Sequence, residues 1–302
     1  RHKYLSDTEL AEYDYTSVQL GGQPRVMAFK GEEAFTSAIL GVTQAETPLV
    51  WFTAGHGEKA LDSPDPLGLA ELKRYLEQQN MRLETVTLLE RTAIPPETKL
   101  VVIAGPERRF TERELLLLQG YLEAGGRILA MVDPLQETGL DGLLERWGIT
   151  LGMDIVVDPS QQLPFVSAAN VFVTTYTRHP IVEKMKTLMT LFPLARSVRP
   201  SAAPPQGISV TPLAFTPAAG WGETNTSVTT FERTEGQDLA GPVSIAAAAE
   251  RTTTPEVGQP AVRSRLVVIG DSEFVMNSQL GNVGNRDLLL GAVYWLAEQE
   301  RL

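Results

Sequence analysis

Apolar runs separated by helical periods dominate residues 48–134 of the chain. The runs show little alternation of apolar and polar positions, and the stretches between them place apolar residues three or four apart. In order, the pattern predicts strands at 49–54, 82–89, 99–105 and 127–133, with helices at 67–79 and 111–124. Apolar runs of this kind are typical of parallel strands covered on both faces. The predicted fold class is α/β, an open, mostly parallel sheet flanked by helices, as in flavodoxin-like folds.

The second predicted helix carries clear signals at both of its ends. Thr111 followed three residues later by Glu114 is a capping box. Gly125 and Gly126 end the helix where the chain must turn into the next strand. The boundaries of this helix therefore follow from local chemistry as well as from periodicity.

The amino-acid composition and the hydrophobic pattern change along the chain and suggest four segments. Residues 1–45 are predicted to be a subdomain of a β-hairpin, with strands on either side of Gly21-Gly22, and a helix at 32–40. Residues 46–158 form the α/β core, and residues 159–260, rich in Pro, Ser, Thr and Gly, are predicted to be a β-rich insertion. Residues 261–302 carry a strand-like run and a helix that are expected to return to the core.

Composition excludes several classes of function. The net charge of the 302 residues is -11, and Lys and Arg do not cluster, which argues against a nucleic-acid-binding surface. The chain has no cysteine, so thiol nucleophiles, thiolate metal sites and disulfides are excluded. Neither G-x-G-x-x-G nor a Walker A sequence occurs at a strand-to-helix turn, and no cofactor is predicted.

Polar residues follow several of the predicted strands, at the edge where ligands of open α/β sheets usually bind. His56 and Glu58 follow the first core strand, Asp133 follows the fourth, and Asp271 and Ser272 follow the strand near the end of the chain. These five residues are the candidate ligand-binding residues. A catalytic role is not assigned to any of them.

Structural and chemical interpretations of these loops remain open. His56 between Gly55 and Gly57 could be part of a tight turn, or it could bind a ligand or act as an acid or base. Ser272, in a Gly-Asp-Ser block, could be activated by His56 if the two lay on adjacent strands, as in a hydrolase; otherwise Asp271 or Ser272 caps the following turn. A metal site would need His56, Glu58, Asp133, Asp271 and Glu273 to converge, and no local metal-binding motif supports it.

A series of motifs, in order and over most of the chain, resembles a known family. It includes TAGHGE (Thr53 to Glu58), FTERELLLLQGYLEAGGRILAMVDP (Phe110 to Pro134), WGITLGMDIVVDPS (Trp147 to Ser160) and RLVVIGDSEFVMN (Arg265 to Asn277). The family is that of the GldG-like auxiliary proteins of ABC transporters, as in gliding-motility and related export systems. No single motif is diagnostic, and the order and spacing carry the resemblance.

The resemblance implies a setting rather than a chemistry. It implies a glutamine-amidotransferase-like α/β domain, similar also to the start of an intraflagellar-transport subunit, on the extracytoplasmic (periplasmic) face of the inner membrane. It further implies tethering by membrane helices outside this segment, and ABC permease and ATPase subunits as partners, with a glycan or a protein as a possible substrate. The cysteine nucleophile of amidotransferases has no counterpart here. The expected function is a non-enzymatic binding or scaffold component, and the alternative is a hydrolase or metal-dependent enzyme that uses the strand-end His, Asp and Ser residues.

Overall fold

The computed structural model describes residues 17–20, 23–26, 47–161, 167–227, 230–253 and 261–298. Strands β1 (Ser17–Leu20) and β2 (Gln23–Val26) pair antiparallel, where the hairpin is expected. The helix predicted at 32–40 lies outside the described residues. The remaining elements belong to the region from residue 47 onward.

The strands and helices of this region follow the predicted order closely. The strands are β3 (Leu49–Thr53), β4 (Arg82–Val86), β5 (Thr98–Ala104), β6 (Arg127–Met131), β7 (Ile149–Leu151), β8 (Ile155–Val157), β9 (Val171–Val173), β10 (Thr175–Tyr176), β11 (Thr190–Phe192), β12 (Val198–Pro200), β13 (Ile208–Phe215), β14 (Trp221–Glu223), β15 (Leu239–Ala240), β16 (Ser244–Thr253) and β17 (Val262–Ile269). The α-helices are α1 (Ala70–Gln78), α2 (Glu112–Glu123), α3 (Asp141–Glu145) and α4 (Asn285–Ala297), and 3-10 helices lie at Leu88–Glu90, Pro159–Gln161, Pro180–Thr187 and Glu273–Val275.

One sheet of 8 strands organises the molecule, in the order β10-β13-β16-β17-β6-β5-β3-β4. Strands β17, β6, β5, β3 and β4 run parallel to one another, and β16, β13 and β10 continue the sheet antiparallel. This confirms the predicted α/β class, with a mostly parallel sheet flanked by helices.

Both faces of the parallel strands are covered, which explains their unbroken apolar runs. Val50 and Phe52 of β3 pack in the core under α1 and α4, whereas Trp51 between them packs in a second core under α2. Successive side chains of a strand point to opposite faces, so a strand buried on both faces needs apolar residues at every position. All five residues of β3 are accordingly buried.

The segment 159–260 contributes to the same sheet. Its longest strands, β13 and β16, pair with each other, and β16 pairs antiparallel with β17 from Ala246 to Thr253. The same segment contains the 3-10 helix Pro180–Thr187, with Pro180 in its first turn. Among the described helices, none is both long enough and apolar enough to cross a bilayer.

Candidate functional site

The parallel strands bring four loops to one edge of the sheet. These loops follow β3, β5, β6 and β17 and contain the predicted candidates together with Gly105. They fall into two separate clusters, one around His56 and one around Asp133. The strand order explains the separation, because β6 and β5 lie between β17 and β3.

His56 sits in a tight turn and is 9% exposed. Gly55 and Gly57 have φ angles of 118° and 86°, which only glycine adopts without strain. The carbonyl oxygen of His56 accepts hydrogen bonds from the backbone nitrogens of Glu107 and Arg108, at 2.8 and 2.9 Å. The turn after β3 is thereby fixed to the loop after β5.

The imidazole of His56 is enclosed by two carboxylates and an aromatic ring. Its Nε2 lies 3.2 Å from Oε2 of Glu114, its Nδ1 lies 3.7 Å from Oε1 of Glu58, and the ring stacks on Phe110 at 4.1 Å between centroids. Oε2 of Glu58 also accepts from the backbone nitrogen of His56 at 2.7 Å. His56 and Glu58 therefore lie against each other in one turn, and Glu114 is a second carboxylate partner of His56.

Glu114 was predicted only as a helix cap, and it has two roles. Its Oε2 accepts from the backbone nitrogen of Thr111 at 2.9 Å and from the Thr111 hydroxyl at 2.7 Å, which completes the predicted capping box of α2. The same oxygen faces His56. Glu114 is fully buried. A carboxylate that only caps a helix can remain in solvent, so the burial of Glu114 indicates a second partner.

The second cluster joins Asp133 to Ser272. Oδ2 of Asp133 accepts from the Ser272 hydroxyl at 2.7 Å, and Oδ1 accepts from the Ser272 backbone nitrogen at 2.5 Å. Lys59 Nζ lies 3.6 Å from Oδ2 of the same carboxylate. Ser272 itself is fully buried.

Asp271 lies in the same loop and is fully buried. Its Oδ1 accepts at 2.5 Å from the backbone nitrogen of Glu273, the first residue of the 3-10 helix that follows, and its Oδ2 has no hydrogen-bond partner among the described residues. Burial, with the nearby Asp133 carboxylate as a smaller cause, raises the pKa of Asp271 well above its ordinary value. The same two causes raise the pKa of Glu273.

Gly105 makes this cluster possible. It has a φ of 66°, and a Cβ atom built on it would lie 2.3 Å from the Ser272 hydroxyl oxygen and 3.0 Å from Oδ2 of Asp133. A contact of 2.3 Å does not occur between non-bonded atoms, and one of 3.0 Å is tighter than most Cβ contacts. The loop after β5 must therefore carry glycine for Asp133 and Ser272 to meet.

Arg196 supports the cluster from the β-rich segment and was not singled out in the sequence. It is 1% exposed, and its guanidinium donates to the carbonyl oxygens of Gly152, at 2.8 Å from Nε, and Asp133, at 3.4 Å. Burial lowers its pKa, while the nearby carboxylates of Asp141, Asp154 and Asp133 act in the opposite direction. A cation inside the apolar run from Thr190 to Val198 was the signal that could have identified it.

Ser272 and His56 do not lie on adjacent strands, so the condition for activation of Ser272 by His56 is not met. Their strands, β17 and β3, are three strand spacings apart, or about 14 Å at about 4.8 Å per spacing. Proton transfer needs a base within about 3 Å, and the Ser272 hydroxyl instead donates to Asp133. The described residues likewise contain no group of three or more His, Asp or Glu side chains arranged to hold a metal ion.

Comparison with known proteins gives matches of three kinds. The profile of the ABC_transp_aux family, described as an ABC-type uncharacterized transport system, matches residues 47–292. The intraflagellar transport protein 52 homologues of Mus musculus and Homo sapiens are 40% and 36% identical over 63 residues. That match covers 20% of this chain and only 15% and 14% of those proteins.

A solved structure shares the fold at low sequence identity, and another matches more weakly. The mmIFT52 N-terminal domain superposes with a TM-score of 0.61 at 18% identity, over 84% of this chain and 99% of that domain. A ThuA-like protein from Bacteroides uniformis gives a TM-score of 0.46 at 15% identity, over 84% of this chain and 94% of that protein. Because the profile match spans most of the chain, the protein belongs to the ABC-type uncharacterized transport system family and is an auxiliary component of such a system.

Proposed function

We propose that this chain is a non-enzymatic binding or scaffold component on the extracytoplasmic face of an ABC-type transport complex. Membership in the auxiliary family supports the setting. The contacts that the strand-end residues make with other parts of the chain support a non-enzymatic role. The proposed partners are the permease and ATPase subunits of the transporter, and the proposed anchors are membrane helices outside this segment.

The observation that carries the proposal is the hydrogen bond from the Ser272 hydroxyl to Asp133. A nucleophilic serine needs a base that takes its proton and a space for the reacting carbon. Here the hydroxyl is fully buried and its hydrogen is directed to a carboxylate that also accepts the Ser272 backbone nitrogen. This geometry fixes one loop to another, which is a structural task.

His56, at the same edge of the sheet, also fixes one loop to its neighbours. His56 holds the turn after β3 to α2 through Glu114 and Phe110, and its backbone carbonyl holds the loop after β5. Its ring faces side chains of the protein on both nitrogens. The edge that usually carries the ligand of an α/β protein is thus occupied by contacts between its own loops.

Topology can be tested directly because the chain has no cysteine. Gln206 is exposed in the loop before β13, so a Gln206→Cys substitution in the full-length protein gives one reporter site, provided that any cysteines outside this chain are replaced. A membrane-impermeant maleimide should label Cys at this position in intact spheroplasts. Labelling that requires lysis of the spheroplasts would contradict the extracytoplasmic location.

Association is tested in the same strain with a photo-crosslinking amino acid at exposed positions of the chain. A cross-link to the permease subunit, located by mass spectrometry, is the expected result. Ser272→Ala should leave the cross-link yield unchanged, since Ser272 is buried. Cross-links only to proteins outside the transporter would contradict the proposed partnership.

A further inference from the structure

A cleft of about 900 Å³ lies at the far edge of the sheet from the His56 cluster. It runs beside the edge strand β10 and the 3-10 helix Pro180–Thr187, and its lining consists of residues 174–180 with Glu183 and Lys186. Among the described strands, β10 pairs with β13 alone and is the last strand of the sheet on this side. The cleft belongs to the β-rich segment and shares no residue with the strand-end clusters.

The charge of this region differs from that of the whole chain. Between Asp158 and Glu223 the only acidic residue is Glu183, although the chain contains 37 Asp and Glu residues and has a net charge of -11. The same stretch contains five basic residues, which are Arg178, Lys184, Lys186, Arg196 and Arg199. Of these cations, Arg178 and Lys186 line the cleft, whereas Arg196 is buried in the Asp133 cluster. An anion in the cleft would meet two cations and one carboxylate, that of Glu183.

The polar groups in the cleft divide into those already used and those available. The hydroxyl of Tyr176 donates to the Val173 carbonyl, and that of Thr177 donates to the Pro212 carbonyl. Thr174 and Thr175 are exposed, and neither hydroxyl makes a hydrogen bond to a described residue.

The two cations of the lining are also available. Arg178 and Lys186 are exposed, and within the described part of the chain neither forms an ion pair. Burial lowers the pKa of His179 to about 4, so its ring is neutral at pH 7 and its Nδ1 accepts from the backbone nitrogen of Ile181. With Glu183 counted, the lining carries one net positive charge.

We propose that this cleft binds a weakly acidic oligosaccharide, through Arg178 and Lys186 to a carboxylate and through the threonine hydroxyls and Glu183 to sugar hydroxyls. An arginine fork matches a carboxylate in a bidentate manner. One net charge, the two available threonine hydroxyls and the Glu183 carboxylate fit a ligand with one uronate among neutral sugars better than a dense polyanion. The inference rests on the proposed function, for which it names the class of substrate.

The test is calorimetric titration of the purified chain with a xylo-oligosaccharide bearing one glucuronate and with the neutral xylo-oligosaccharide of the same length. The acidic probe should bind and the neutral probe should bind at least about tenfold more weakly, since a charge-assisted hydrogen bond contributes roughly that factor. Arg178→Gln and Lys186→Gln should each weaken binding of the acidic probe by about tenfold. Arg199→Gln is the matched control, because Arg199 is an exposed arginine of the same stretch outside the cleft.

The outcomes separate this inference from its rivals. Equal binding of the neutral probe, or binding that both cleft variants leave intact, would overturn it. Binding only to vesicles that contain phosphatidylglycerol would also overturn it, since the anion would then be a lipid headgroup. If the acidic probe fails while the cross-link to the permease stands, the substrate class is wrong and the proposed function survives. Melting temperatures of the three variants establish that each one folds.

Discussion

Gly105→Ala tests the close approach on which the Asp133 cluster depends. The added methyl would lie 2.3 Å from the Ser272 hydroxyl oxygen, and alanine would have to adopt a φ of 66°. A left-handed backbone costs about 1–2 kcal/mol for a residue with a Cβ, and a forced overlap in a packed site costs about 1–3 kcal/mol. The expected loss of unfolding free energy is therefore about 2–5 kcal/mol, a large part of the roughly 5–15 kcal/mol of a typical domain.

Urea denaturation followed by tryptophan fluorescence measures this loss. Gly142→Ala is the matched control, because nothing lies within 4 Å of its added Cβ and Gly142 is inside helix α3. This control should be neutral or stabilising by up to about 1 kcal/mol. A Gly105→Ala protein within about 0.5 kcal/mol of the wild type would refute the reasoning.

A double-mutant cycle locates the strain. Ser272→Ala removes the oxygen that the new methyl meets at 2.3 Å, whereas Oδ2 of Asp133 at 3.0 Å and the positive φ remain. The Gly105→Ala substitution should therefore cost less in the Ser272→Ala background than in the wild type. Equal costs in both backgrounds would place the strain elsewhere.

Three further predictions concern buried ionisable groups. Because Asp271 has a raised pKa in the folded state, wild-type stability should fall as pH rises from about 4 through that pKa. Asp271→Asn should remove this fall, which urea titrations at pH 4.5 and 7 measure. His179 has a pKa of about 4 in the folded state and of about 6.5 when unfolded. Its neutral ring should therefore contribute its full stabilisation above pH 6.5, and this contribution should be lost as pH falls toward 4. His179→Asn keeps an acceptor for the Ile181 backbone nitrogen and should abolish this pH-dependent contribution in thermal melts. Arg196→Lys should cost about 2–3 kcal/mol in denaturant titrations, because an ammonium cannot reach the carbonyls of Gly152 and Asp133 together; an unchanged midpoint would contradict the role of the guanidinium fork.

The parts of the fold that could be predicted are those with local causes. The unbroken apolar runs of β3 and β5 report burial on both faces, and the Thr111 and Glu114 pair reports the start of α2. Each signal lies within a few residues of the feature it predicts. The existence and the order of the core elements follow from such signals.

Strand order was the part that local signals did not determine. His56 and Ser272 both follow strands of the sheet, but only the tertiary pairing places β6 and β5 between them. The joining of β13 and β16 to the same sheet is likewise a long-range event, since β16 pairs with both β13 and β17. The division of the chain into four segments stays a prediction.

The sequence predicted where the candidate site lies in the fold, but it did not predict which side chains contact one another there. The sequence rule that ligands bind at the carboxyl ends of strands led to His56, Asp133 and Ser272. The partners that decide their roles, Glu114 and Arg196, come from a helix and from the β-rich segment. Their burial is visible only once distant elements are packed together.

In the proposed function, the chain acts in an ABC complex without chemistry at its strand ends. The ATP hydrolysis rate of the permease and ATPase, reconstituted in proteoliposomes, should be measured with the full-length protein omitted, present as wild type, or present as Ser272→Ala. Omission should change the rate, and Ser272→Ala, where circular dichroism shows it folded, should give the wild-type rate. A folded Ser272→Ala protein that behaves like the omission would contradict the proposed function, and so would a rate that does not depend on the protein.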